Sequence, residues 1–277
     1  MNLKKTTYNR HTIYSIEDAA LSIADPSALI DRLRNAPPLE NKGRGGITLL
    51  EINGRHIACR KYIHGGLLRA ITGDIFFSAK RATEELKVLG YLKERGFPVV
   101  QPYGLIVKKN FVTKSLHILT VFEENSVDLS EVLSASTGKQ RFRTIKKLAQ
   151  IMWHMETLGV YHPDLHLNNV LVTAEGTLKF LDFDRACRKS ITKKDMEQMF
   201  WRLNKYVEKM ERQSKLKITL KEKLLFLRTY RKFSGFDMAG TMKNKVNQKG
   251  FLSKTGWFLE SLLYGNKRSN NSKFEIA

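Results

Sequence analysis

The chain has 277 residues, 42% hydrophobic and 27% charged, which fits one or two packed domains and excludes a disordered or collagen-like chain. Lysine and arginine number 48 against 27 aspartate and glutamate, a net charge of +21, favouring polyanionic partners such as nucleic acid, an anionic membrane face or phosphorylated substrates. Two cysteines, Cys59 and Cys187, allow one disulfide but no disulfide framework, so a reducing, cytoplasmic setting is expected.

In chain order, the basic N-terminus lacks the apolar run of a signal peptide. No stretch of about 18 apolar residues is present to span a bilayer. The expectation is a protein that is soluble or peripheral on a membrane. Residues 1–40 carry short amphipathic stretches, Ile16 to Ile23 and Ala28 to Leu33, ending at Pro37-Pro38. They are set apart as an N-terminal extension. Gly43, Gly45 and Gly46 then precede ITLLEI, Asn53-Gly54 and HIACRKYI. Two apolar runs around Asn-Gly predict a β-hairpin. Residues 76–94 show helical spacing, with Leu86, Leu89 and Leu92 on one face. Gly96 and Pro98 then supply a helix stop. Val99 to Lys108 and Ser115 to Phe122 predict two more strands. Residues 128–135 and 140–158 predict helices, followed by a His-Pro-Asp loop, two short β-like pieces around Glu175-Gly176, and a basic helical region from 192 onward. The expected fold class is α+β and bilobal: a small β-rich N-lobe over 41–124 and a larger helical C-lobe over 125–277.

The chemistry-bearing pattern is His162-Pro163-Asp164-Leu165, then Asn169, then Asp182-Phe183-Asp184. Protein kinases carry H-R-D-L-x-x-x-N followed by D-F-G. His162, Asp164, Leu165 and Asn169 fall on those positions, while Pro163 replaces the arginine and Asp184 the glycine. Phosphoryl transfer is mostly positioning and charge neutralisation. It needs a carboxylate to take the attacking hydroxyl's proton, here Asp164. It also needs hard oxygen ligands to hold Mg²⁺ against the phosphates of ATP, here Asn169 and Asp182. Asp and Asn also favour plain turns, but that leaves the joint spacing unexplained.

The first half supplies phosphate-binding candidates. Gly43, Gly45 and Gly46 could bring backbone amides to phosphate, although a simple glycine-rich turn explains them equally. Ile57-Ala58-Cys59-Arg60 stands where kinases carry V-A-I-K. Strand alternation puts Arg60 on one face and Lys61 on the other, with Arg60 the first candidate for the phosphate cation and Lys61 the second. Either Glu84 or Glu85, on the 76–94 helix, is expected to pair with that cation.

These segments resemble the lipopolysaccharide inner-core kinases, most closely the 3-deoxy-D-manno-octulosonic acid (Kdo) kinases. The likeness runs from about Gly43 to Val207. It rests on GRG at 43–45, ACRKYIHGGLL at 58–68, Asp74-IFF, Arg81-ATEELKVL, GVYHPDLHLNNVLV at 159–172 and LDFDRA at 181–186. The resemblance implies a protein-kinase-like fold, use of ATP and Mg²⁺, and transfer to an alcohol group on a lipid A precursor. It also implies that Glu85, four residues after Arg81, is the helix glutamate. His64 stands where the family pattern leads one to expect arginine. In the heptose kinase branch the metal-site asparagine is replaced, whereas Asn169 is present here.

Residues 188–232 carry fifteen basic residues against five acidic ones. Solvated helix faces are one reading. Adhesion to an anionic glycolipid at a membrane surface is the other, at about 1 kcal/mol per basic residue. Residues 251–264 could form an amphipathic helix that packs on the helical lobe or inserts in the membrane. The expected partners are therefore ATP, an anionic glycolipid acceptor and an anionic membrane surface, with no nucleic acid. The expected location is cytoplasmic, peripheral on the inner face of the inner membrane. Rival readings are a heptose kinase of the same family, a soluble small-molecule kinase, and a non-catalytic basic module that binds nucleic acid or membrane. The +21 charge opposes a cationic aminoglycoside acceptor.

Overall fold

The computed structural model describes residues 3–16, 25–39, 46–64 and 74–240. Strands β1 (Leu3–Tyr8), β2 (His11–Ile16), β3 (Pro38–Leu39), β4 (Ile47–Ile52), β5 (Arg55–Lys61), β6 (Pro102–Asn110) and β7 (Thr113–Val121) form one antiparallel sheet. Their order across it is β1–β2–β6–β7–β5–β4–β3. The β4–β5 hairpin closes with Ile52 opposite Arg55. Its two turn residues, Asn53 and Gly54, both have positive φ, +52° and +71°, as a type I′ turn requires.

The described residues of 1–40 pack with the sheet. The β1–β2 hairpin extends the sheet by pairing with β6, Ile13 opposite Ile106. Helix α1 (Pro26–Asn35) starts where the Asp25 carboxylate accepts from the Ser27 and Ala28 amides at 2.8 and 3.2 Å, an N-cap with proline in the first turn. Its Leu29 and Ile30 close a small core with Ile13, Leu50, Ile57, Cys59, Tyr103, Ile106 and Leu119 on one face of the sheet. Cys59 is buried there and Cys187 is exposed, and both thiols are free.

The opposite sheet face carries helix α2 (Lys80–Glu94). The expected helix over 76–94 begins four residues late. Phe76 is extended, bridging to Lys114, because its ring is buried edge-on to Tyr62, with centroids 6.3 Å apart. At the other end Gly96, φ +68°, lets the Phe97 amide reach the Leu92 carbonyl at 3.0 Å and its own amide reach Lys93 at 3.1 Å, a Schellman closure. Leu86, Leu89, Leu92 and Phe97 are buried in the main core.

The chain then crosses into helix-rich structure: β8 (Val127–Asp128), α3 (Leu129–Ala135), α4 (Gly138–Thr157), β9 (Val160–Tyr161), a 3₁₀ turn (Leu167–Asn169), β10 (Val170–Val172), β11 (Leu178–Phe180), β12 (Cys187–Arg188), α5 (Lys193–Arg212) and α6 (Leu220–Ser234). Both α5 and α6 start in capping boxes, Thr192 with Asp195 and Thr219 with Glu222. A single apolar core continues from Tyr62 and Leu86 through Met152 and Phe180 to Met199 and Tyr230. The sheet and the helical part are therefore joined by buried surface as well as by the segment between β7 and β8. Residues 251–264, the expected amphipathic helix, lie outside the described residues.

Candidate active site

The catalytic-loop candidates are held from beneath by one face of α5. Helix α4 gives way to the loop at Gly159, φ +65°, where an added Cβ would sit 2.8 Å from the Lys189 carbonyl oxygen. Only glycine fits both the conformation and the space. Strand β9 then pairs with β12, and the chain turns at Pro163-Asp164 before the 3₁₀ turn at Leu167–Asn169. His162, Asp164 and His166 each meet α5, at Met199, Arg202 and Tyr206 in turn. The His162 amide lies 3.3 Å from Met199 Sδ. Arg202 Nε donates to Asp164 Oδ1 at 2.8 Å, and a second Arg202 nitrogen donates to the same oxygen. The His166 ring stacks on Tyr206 with centroids 4.6 Å apart. The spacing i, i+3, i+7 keeps the three helix residues on one face.

His162 is fully buried against Phe183, ring centroids 4.8 Å apart. Burial pushes its pKa down to about 4, so it is a neutral packing element joining the loop to the Asp182 segment. Asp164, by contrast, is half exposed. Asn169 is buried, and its Nδ2 donates to the Asp164 carbonyl oxygen at 3.1 Å. Its backbone oxygen accepts from the Leu181 amide at 3.0 Å. Asn169 and Asp182 thus flank the β10–β11 hairpin, whose register sets Val170 opposite Phe180.

Asp182 has φ +60° and Arg185 +62°, an uncommon conformation for residues with a Cβ. Two side chains of α2, one turn apart, brace this segment. Glu85 is buried and receives Arg60 at 2.8 and 3.1 Å, with the Tyr62 hydroxyl also donating to it. Arg60 in turn lies 3.2 Å from Asp182 Oδ1. Arg81 makes a two-pronged pair with Asp184. Burial pushes the Glu85 carboxyl up to about 7 against the pull of Arg60. Burial also disfavours the charged Arg60, but Glu85 and then Asp182 outweigh it and hold its pKa above the ordinary value.

Asp164, Asn169, Asp182, Arg60 and Glu85 therefore lie on one connected set of contacts. The remaining candidates fall elsewhere. Lys61 is paired with Asp74, so the second cation candidate is turned away from Asp182. Glu84 pairs with Lys87 at 3.0 Å on the exposed side of α2. Gly46, φ +69°, leads into β4, while Gly43 and Gly45 lie outside the described residues. His64 stacks on Phe76, centroids 4.2 Å apart, and its Nε2 lies 2.8 Å from the Ile75 carbonyl oxygen.

Sequence reasoning missed three participants: Arg202, Tyr62 and the Arg81–Asp184 pair. The last left a signal, since a carboxylate in place of the D-F-G glycine needs a cation, and Arg81 shares the Glu85 face of α2 at i, i+4. Arg202 left no signal beyond its helical spacing from Met199.

The donor set fits a hard divalent cation. Asp182 Oδ1 is buried and makes no hydrogen bond, with the Arg60 guanidinium 3.2 Å away as its charged neighbour, and Asn169 is anchored through its nitrogen, leaving its amide oxygen available. Among the described residues no three or more His, Cys, Asp or Glu converge as a metal cage. Mg²⁺ is ordinarily held by one or two protein ligands together with substrate phosphates and water.

The model of the lipopolysaccharide kinase (Kdo/WaaP) family matches residues 31–230 of this chain. A 3-deoxy-D-manno-octulosonic acid kinase of Vibrio vulnificus is 26% identical over 147 residues, covering 52% of this chain and 61% of the relative. A 3-deoxy-D-manno-octulosonic acid kinase of Xanthomonas euvesicatoria is 25% identical over 174 residues, covering 61% of this chain and 68% of the relative. The chain thus spans about three fifths of the length of the Vibrio relative.

Proposed function

Because the chain belongs to the lipopolysaccharide kinase (Kdo/WaaP) family, we propose that it transfers the γ-phosphate of ATP to a sugar hydroxyl of the lipopolysaccharide inner core, with Kdo on a lipid A precursor as the acceptor sugar. The observation that carries this reading is the convergence of Asp164, Asn169 and Asp182 with the Arg60–Glu85 ion pair. The α+β, protein-kinase-like fold is the scaffold for it.

In this reading the acceptor oxygen attacks the γ-phosphorus, the bond to the β,γ-bridging oxygen breaks, ADP departs, and the hydroxyl proton passes to the Asp164 carboxylate. Asn169 and Asp182 would hold Mg²⁺, which supplies charge neutralisation at the phosphates. Arg60 of β5, kept charged and fixed by Glu85 and Tyr62, would lie against the phosphates as the V-A-I-K lysine does in kinases. Its planar guanidinium offers two parallel donors to a phosphate where lysine offers a point charge. The buried His162–Phe183 contact holds the Asp164 loop and the Asp182 loop at a fixed distance, so base and metal ligands are positioned together. Gly43, Gly45 and Gly46 are proposed as the phosphate-covering turn.

None of the helices in the described residues is long and apolar enough to cross a membrane. The basic α5–α6 region is proposed to hold the protein against the anionic face on which the acceptor lies. The test is direct. The protein is incubated with γ-labelled ATP, Mg²⁺ and, in parallel, a Kdo-bearing lipid A precursor, a heptose-bearing core and an aminoglycoside. Label on the Kdo-bearing acceptor is the expected result. Label on either other acceptor alone would replace the proposed substrate, and label on none would remove the proposed reaction.

A further inference from the structure

This inference deepens the phosphotransferase reading of the same site and rests on it. Arg202 occupies the open side of Asp164, with about half of each side chain exposed. Both Arg202 donors are directed at one oxygen, Oδ1. An exposed ion pair of this kind contributes little to stability. Exchanging the Asp164 oxygen for another oxyanion therefore costs little, and a guanidinium prefers a partner offering two oxygens in one plane. Around it, α5 presents further recognition chemistry. Tyr206 forms a flat aromatic stack with His166, tilted by 14°. Burial, the largest cause, holds the His166 pKa below its ordinary value; Asp164 and Asp182 oppose this, and the positive charges of Arg202 and Lys209 add to it. Arg202, Tyr206 and Lys209 follow one another at i, i+4, i+7, so they share the α5 face that meets the catalytic loop through Arg202–Asp164 and Tyr206–His166.

We infer that Arg202, with Lys209 behind it, is the binding subsite for an oxyanion carried by the acceptor next to the hydroxyl that is phosphorylated. The acid group draws Arg202 from Asp164, and Asp164 is thereby released to take the hydroxyl proton. The subsite selects a sugar bearing a carboxylate or a phosphate over a neutral one, and it couples arrival of the correct acceptor to exposure of the base.

The two oxyanion sources are separated by paired probes: free Kdo against its methyl ester, and a neutral hexose against the same hexose carrying a phosphate monoester. Each is titrated at equal ionic strength into the full chain, the Arg202→Ala variant and the Arg202→Lys variant, and binding is followed by calorimetry. Hydrogen bonds to charged groups contribute enough that loss of Arg202 should weaken binding of the acidic probe by about tenfold or more. The neutral partner should be unaffected, and Arg202→Lys should recover part of the loss. Dependence confined to the Kdo pair identifies the carboxylate, and dependence confined to the hexose pair identifies the phosphate. Equal affinities of wild type and Arg202→Ala for both acidic probes overturn the inference. Because binding is read without turnover, a protein that binds the acid through Arg202 but transfers no phosphate would sink the kinase reading and leave the subsite standing. In turnover, the expected signature is a raised KM for the acidic acceptor with KM for ATP unchanged. A loss in kcat alone, with acceptor KM and acid preference intact, would reduce Arg202 to a support for Asp164 and overturn the subsite.

Discussion

Glu85 ionises at about 7 in the fold because burial outweighs its pairing with Arg60. The folded chain holds that proton more tightly than an unfolded one, whose carboxyl titrates near the ordinary 4.5. This contribution to stability is therefore complete below 4.5 and is lost as pH rises through about 7. Pairing with Arg60 runs the opposite way, since only the carboxylate attracts the guanidinium. Activity is accordingly expected to rise through an inflection near 7 while thermal stability falls over the same interval, and Glu85→Gln should remove both limbs. A variant profile that keeps the rise would assign it to another group. At the metal site, Asn169→Ala and Asp182→Ala should each raise the Mg²⁺ concentration needed for half-maximal nucleotide binding. An unchanged Mg²⁺ requirement in both would exclude these ligands. The Asp164, Asn169 and Asp182 pattern was legible as a candidate site because its spacing matches the kinase H-x-D-L-x-x-x-N and D-F positions, and the fold puts the three on one connected set of contacts. Arg202 was not, since its contact with Asp164 spans 38 positions and exists only once α5 packs under the loop.

Helix α2 is the element that connects the sheet to the catalytic segment. Its Glu85 holds Arg60 of β5, and its Arg81 holds Asp184 two residues beyond the candidate metal ligand. The second clasp keeps a segment with two positive-φ residues, Asp182 and Arg185, in one conformation without the glycine that D-F-G would supply. If the clasp positions Asp182, Arg81→Ala and Asp184→Ala should be strongly non-additive. A coupling of about 0.5–3 kcal/mol is typical of directly contacting residues. Both single variants should also raise the Mg²⁺ requirement. Additive losses, or losses in stability alone, would make the pair a structural contact only. At this scale the β4–β5 hairpin and the closure of α2 were readable from Asn53-Gly54 and Gly96-Phe97-Pro98, because those residues encode backbone geometry locally. The β1–β2 hairpin was not readable. Strand β1 is an edge strand with four of its six residues exposed, so it lacks the apolar alternation that marks a half-buried strand. The start of α2 was also hidden, because Phe76 and Phe77 continue the apolar pattern while tertiary contact with Tyr62 holds Phe76 extended.

At the scale of the whole molecule, the +21 charge is the dominant physical property. On α5 and α6 some of it is neutralised within the fold, as in Lys205–Glu208 and Lys223–Glu211. Lys193, Lys194, Lys215, Lys217, Lys221 and Arg228 add further positive charge to this region. Binding to vesicles containing anionic lipid is expected to weaken steeply as salt is raised, because screening limits the reach of these charges to about 8 Å at physiological ionic strength. Salt-independent binding would place the attachment on an apolar surface instead. The sequence revealed the charge but not how it is divided between internal pairs and open surface, which depends on the helix packing. The proposed reaction turns on Asp164, the half-exposed carboxylate that would take the acceptor proton beside intact candidate metal ligands. The most direct measurement is single-turnover phosphoryl transfer by Asp164→Asn, alongside nucleotide affinity and thermal unfolding. A general-base role for Asp164 predicts a folded protein with near-normal Mg²⁺–ATP binding and a transfer rate lowered by about 10²–10⁴, the usual span of a general base. Transfer at the wild-type rate by the folded variant would contradict it.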